Sequence, residues 1–133
     1  MSTLNNINIL FSGIIVGMII LQSAIIAPTI FTTLEQDNAG KLIRNIFPKL
    51  FKFIALLSLI MIINSFVVET SPFLKITYFI TFLLMTINFL IIPATNKSRD
   101  EGNDKKFKLL HSLSVLTTML ILLVHSYIII LGL

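Results

Sequence analysis

Cysteine and tryptophan are both absent from this chain of 133 residues, and charge is scarce. Without cysteine there is no disulfide, no thiolate metal site and no cysteine nucleophile. Without tryptophan, any aromatic belt at a membrane surface has to come from phenylalanine and tyrosine. Charged residues make up 12% of the chain, roughly half the share usual in a soluble domain. No P-loop, glycine-rich dinucleotide turn, HExxH motif or well-placed Ser-His-Asp set occurs, so those nucleotide, zinc-protease and hydrolase chemistries have no foothold. Residues 1–8 also hold no Lys or Arg, so the charged start of a signal peptide is missing. Cleavage after Ala27 would set Pro28 beside the scissile bond, and the first apolar segment is therefore expected to be a retained helix.

What is abundant is apolar surface. Hydrophobic residues reach 56% and the mean hydropathy is +0.97, more than a single small core can hide from water. Four apolar runs cover residues 9–27, 51–68, 73–92 and 109–131. Each approaches the ~20 residues that cross ~30 Å of hydrocarbon, and backbone groups in lipid must pair internally, so each run is expected to be a helix. The expected fold is all-α: an integral membrane four-helix bundle forming one transmembrane domain over residues 1–133. Pro28, Pro48, Ser71-Pro72 and Pro93 mark the expected breaks, with a charged loop over residues 98–108. Between the first two runs, Leu42, Ile43, Ile46, Phe47 and Leu50 recur at helical spacing among Lys41, Arg44 and Lys49. That pattern predicts a short interfacial helix over residues 39–47, apolar face down and basic residues near anionic headgroups.

Ten basic residues face six acidic ones, for a net charge of +4. The basic residues flank the apolar runs, so they speak of membrane topology rather than nucleic acid. Lys41, Arg44, Lys49 and Lys52 lie between the first two runs; Lys97, Arg99, Lys105, Lys106 and Lys108 lie between the last two. Only Lys75 lies on the opposite side, a split of nine to one. The basic loops are therefore expected in the cytoplasm and both termini on the outer, periplasmic side of a bacterial inner membrane.

Polar residues inside the runs are the candidate functional groups, since they are costly against lipid. In the fourth run His111, Ser114, Thr118 and His125 share one stripe. The third run aligns Thr77, Thr81 and Asn88, and the second aligns Ser58, Ser65 and Glu69. These stripes are expected to converge on the bundle interior. Gln22, Asn88 and His111 then lie toward the cytoplasmic side, and Glu69, Thr77 and His125 toward the outer side. The two histidines are about 21 Å apart along one helix and cannot share an ion. Each is read either as a hydrogen-bonding partner of a neighbouring helix or as a haem or metal ligand or proton relay, with His125 and Glu69 as an outer pair. Asn64 points away from its stripe. In the first run Gly13, Gly17 and Ala24 form a small-residue face suited to close helix packing, within the chain or in a homo-oligomer.

Ala27-Pro28-Thr29-Ile30-Phe31, Ala39-Gly40, Phe47-Pro48, Asn88 with Pro93, and Phe107-Lys108-Leu109-Leu110-His111-Ser112-Leu113-Ser114 together resemble the transmembrane-protein-205-like family, a membrane domain of unknown function. The resemblance implies a four-helix membrane bundle with the His111 region as a signature site, and it implies no reaction. The first run lacks the aromatic and Trp content often seen in that family. Four-helix membrane protoporphyrinogen oxidases are similar in size and layout, but they carry a histidine in the first helix and this chain does not.

Two functional readings stand open on the residues. One is a non-enzymatic bundle that binds or passes a small ligand, or supports a larger membrane complex. The other is a redox protein holding haem b or a metal ion at His111 or His125. The charge split gives a direct test of topology, made clean by the absence of native cysteine. Lys106→Cys should react with a membrane-impermeant maleimide only from the cytoplasmic side, and Ser71→Cys only from outside; the reverse pattern would overturn the orientation.

Overall fold

A backbone removed from water has to satisfy its own N–H and C=O groups, and this chain does so as helix almost throughout. The computed structural model describes residues 3–133, with side chains from Asn6 onward. Helix α1 (Thr3–Ile20) passes into a π-helical turn (Leu21–Ile26) and then α2 (Ala27–Thr33). Helices α3 (Gln36–Val67), α4 (Pro72–Asp100) and α5 (Asp104–Leu131) follow, and no strand occurs among the described residues. Four helical bodies are long and apolar enough to cross a membrane: Asn6–Thr33, α3, α4 and α5.

The short connections are set by identifiable caps. Ser71 accepts from the Leu74 N–H with Pro72 in the first turn of α4, and Asn103 accepts from the Lys106 N–H at 3.1 Å to start α5. Gly102 takes φ +68°, and its N–H bonds to Arg99 C=O while Asn103 N–H bonds back to Ser98 C=O. That is a Schellman ending, in which a left-handed glycine lets the last carbonyls find donors. Gly132, at φ +63°, closes α5 in the same way.

Three prolines expected to break helices lie inside them. Pro48 is within α3 and Pro93 within α4, each leaving one carbonyl without its usual donor while the chain on both sides continues to pair. The segment expected as a separate interfacial helix at residues 39–47 is therefore helical, but it is the first part of α3 and runs unbroken into the span. Likewise, the expected loop at residues 98–108 shrinks to 101–103. Bidentate pairing of Arg44 with Asp100, at 3.0 and 2.5 Å, ties the start of α3 to the end of α4 and holds both extensions together. At Pro28 the outcome differs. Its ring would crowd the carbonyl four residues earlier in an α-helix; here the preceding turn widens, and Ala27 N–H bonds to Gln22 C=O. The π-turn is the local answer to that proline.

The spans form a closed ring. α1 packs on α3 and α5, and α4 packs on α3 and α5; the diagonal pairs keep their backbones apart and meet only through side chains such as Tyr78 and Asn8. Ile15, Ile19, Ile54, Met61, Tyr78, Met85, Ile121 and Ile128 fill the centre. Ile130, Phe66, Leu116 and Leu123 stand well exposed on the outside, the arrangement expected where lipid rather than water is the solvent.

A left-handed conformation disfavours any residue with a Cβ, so Gly102→Ala should destabilise the bundle by about 1–2 kcal/mol. Gly17→Ala, where an added Cβ meets nothing within 4 Å, should leave stability equal or raised. Thermal unfolding in detergent reads both; a harmless Gly102→Ala would contradict the capping role.

Candidate functional site

Seen residue by residue, the interior polar groups fall into small pairings that link neighbouring helices. On α5, His125 is completely buried. Its Nε2 lies 3.0 Å from the Thr81 hydroxyl on α4, and its Nδ1 lies 3.0 Å from the Ser12 hydroxyl on α1. Thr81 donates its own proton to Thr77 C=O, so it accepts from His125. One tautomer satisfies the whole set: Nε2–H donates to Thr81, and Nδ1 accepts from Ser12. Tyr78 stacks on the same imidazole with ring centres 6.3 Å apart. Its buried hydroxyl interacts with the Asn8 amide without reaching good hydrogen-bond geometry.

A second pairing joins α4 to α5. The Asn88 side chain exchanges hydrogen bonds with the Thr117 hydroxyl at 2.9 and 3.1 Å and reaches Thr118 at 3.5 Å. A third joins α1 to α3, where Asn64 Nδ2 donates to Asn8 Oδ1 at 3.1 Å. Ser58, Thr77, Thr86 and Thr118 return their hydroxyl protons to carbonyls one turn earlier, which satisfies a polar side chain in lipid at little cost.

The structure thus gathers Thr77, Thr81, Asn88, Thr118 and His125 into the interior, with Ser58 and Ser65 also buried. It does not gather His111 or Glu69, which are exposed, and Ser114 is half-buried. His111 lies flat against Phe107 one turn before it, centroids 5.5 Å apart, and Arg99 covers the other ring of that stack at 4.8 Å. His125 bonds to Ser12 and Thr81 instead of pairing with Glu69. Gly13, Gly17 and Ala24 lie on an exposed face of the first span; α1 seats itself through Asn8, Ser12, Ile15, Ile19 and Gln22, all buried. Asn64, unassigned on sequence, is buried against Asn8.

For haem or metal ligation the geometry is unhelpful. Ligation by His125 needs a ring lone pair, and the only one is taken by the Ser12 hydroxyl. No cluster of three or more His, Asp or Glu side chains able to hold an ion occurs among the described residues.

Gln22 is different. It is 4% exposed, and its Nε2 has no hydrogen-bond partner among the described residues. It lies in the π-turn, a feature that recurs at functional sites. α1 before the turn and α2 after it approach α3 closely, whereas the backbone of the turn itself stands farther off. The bowed segment leaves a groove of about 400 Å³ against α3, within the range of small-molecule sites. Met18, Leu21, Ile26, Ile46, Leu50 and Phe53 line it, with Gln22 and Lys49 as its polar residues. A smaller cavity of about 230 Å³ lies at the opposite end, between Asn8, Glu69, Ser71 and the C-terminal Leu133.

Residues 10–104 match the model of a family described as Domain of unknown function (DUF4149). The match covers α1 through α4 and ends at the first residue of α5, before His111. No curated protein and no solved structure matches the chain.

Hydrogen bonds between membrane helices contribute about 0.6–2 kcal/mol each, and removing one partner exposes the other's burial cost. His125→Leu should therefore destabilise the bundle by about 1–2 kcal/mol, whereas His111→Leu should leave unfolding unchanged. Unfolding in mixed micelles decides it, and a larger effect at His111 would contradict the placement of the two histidines.

Proposed function

The chain belongs to the DUF4149 family, and we propose that it is a multi-pass membrane bundle that binds a small amphiphilic molecule in the groove between α1 and α3. The observation that carries this reading is the buried, unpartnered Gln22 Nε2 at an otherwise apolar groove. Leaving an amide without a partner costs about 1–3 kcal/mol, more than a typical interhelical hydrogen bond returns. Water is a poor answer there, because an ordered water needs two to four polar partners and Lys49 is the only other polar side chain lining the groove. A molecule with an apolar chain and a carbonyl oxygen meets both requirements at once.

The other polar groups serve this reading as framework. His125, Asn88 and Asn64 spend their hydrogen bonds on neighbouring helices. The nine-to-one distribution of basic residues supports an orientation with the α1–α3 groove opening toward the cytoplasmic half of a bacterial inner membrane and both termini outside. The resemblance to transmembrane-protein-205-like domains fits the same architecture; its motif at Ala27-Pro28 directly follows the groove residue Ile26, and Phe47-Pro48 lies between the groove residues Ile46 and Lys49.

Monoolein, a single chain with one ester carbonyl and no charge, is a suitable probe. Native mass spectrometry of the wild-type protein released from detergent should show one retained monoolein. Ile46→Trp, which places an indole in the groove from a half-buried position, should abolish retention without unfolding the protein. Equal retention by both proteins, or none by the wild type, would contradict the reading.

A further inference from the structure

Resting on that reading of the groove, we infer that its occupant is an anionic phospholipid, with the phosphate at Lys49, an ester carbonyl at Gln22 and an acyl chain along Met18, Leu21 and Phe53. Lys49 lines the groove with an exposed side chain. Three other basic residues at this end of the bundle are committed elsewhere. Arg44 is paired with Asp100, Lys97 with Glu101, and Lys52 sits over the Phe89 ring. No carboxylate pairs with Lys49 among the described residues. A positive charge left unanswered beside a lipid-facing groove is complementary to an anionic headgroup.

The groove offers the kinds of group a phospholipid needs: a cation, an amide donor and an apolar wall. Lys49 lies four residues before Phe53 on α3, one helical turn closer to the basic end of the bundle. Its long stem lets the ammonium reach outward to headgroup level. The Gln22 amide is buried against the protein and lines the same groove. The ester carbonyl of a glycerolipid is an acceptor one step deeper than its phosphate, and Gln22 Nε2–H is a donor without a partner. Apart from Gln22 and Lys49, the groove wall is wholly apolar.

The test is competition between phosphatidylglycerol and phosphatidylcholine, supplied in equal amounts to the detergent-solubilised full chain and read by native mass spectrometry. Wild type should retain phosphatidylglycerol about fivefold over phosphatidylcholine, the advantage expected of one basic residue at a headgroup. Lys49→Gln should bring the ratio near one and leave monoolein retention intact, since the side chain is exposed and its loss should not disturb folding. Lys41→Gln, which removes an equal charge away from the groove, should leave the ratio unchanged. Gln22→Leu should weaken retention of both phospholipids about fivefold. Equal retention of the two phospholipids by the wild type, or a preference that survives Lys49→Gln, would overturn the anionic-lipid assignment while monoolein binding still stands. Loss of monoolein as well would overturn the groove as a ligand site. A dimer that excludes every lipid would assign the groove to a second copy of the chain and overturn the proposal.

Discussion

A polar group inside a bilayer has no water to fall back on, and every feature of this bundle follows from how each such group finds a partner. The backbone solves the problem by remaining helical even through Pro48 and Pro93. Serine and threonine hydroxyls solve it within their own helix, one turn back. Asparagine and histidine solve it across the seams, where Asn8 meets Asn64, Asn88 meets Thr117, and His125 bridges Ser12 and Thr81. Each pairing contributes modestly, and together they set which helix face looks inward. Two groups stand outside these pairings: the Tyr78 hydroxyl, which has Asn8 beside it, and Gln22 Nε2, which lies at the groove where we propose that a ligand binds.

The same proline accounts for both the irregularity and the site. Pro28 crowds the turn before it, the turn opens into a π-helix, and the backbone of the opened turn stands off from α3. A groove results beside a buried amide, with a basic residue from α3 at its lip. Local backbone chemistry in the first span thus creates an opening that interior packing does not close. The Arg44–Asp100 pair holds the opposite side of α3 against α4, so the groove can form without loosening the ring.

Much of the fold was legible from composition, because apolar runs of membrane length permit few alternatives. The interior stripes of α4 and α5 were legible too, since Thr81, Asn88, Thr118 and His125 recur at helical spacing. Less legible were the ends. Pro48 and Pro93 are read as breaks by rules drawn from water, where a freed carbonyl and a bend compete with open loops. In long membrane helices the flanking turns continue to pair and the helix persists. His111 and Glu69 were placed inside by periodicity alone, yet near the ends of a span a helix face can point to headgroups as easily as to a neighbour. Asn8 and Ser12 escaped notice because they sit just before and near the start of the first apolar run, although their four-residue spacing was the available signal. The groove had no sequence signature beyond Gln22 and Pro28, because a π-turn is a response to packing and not a pattern of residue types.

The central claim is that Gln22, and not the histidines, meets a molecule from outside the chain. Glutamine occurs at two positions only, Gln22 and the exposed Gln36, so selective ¹⁵N-glutamine labelling gives two side-chain amide signals with an internal control. On adding phosphatidylglycerol to the protein in uncharged micelles, the Gln22 amide should shift and that of Gln36 should not. A Gln22 signal that stays fixed while the His125 ring resonances move would contradict the account.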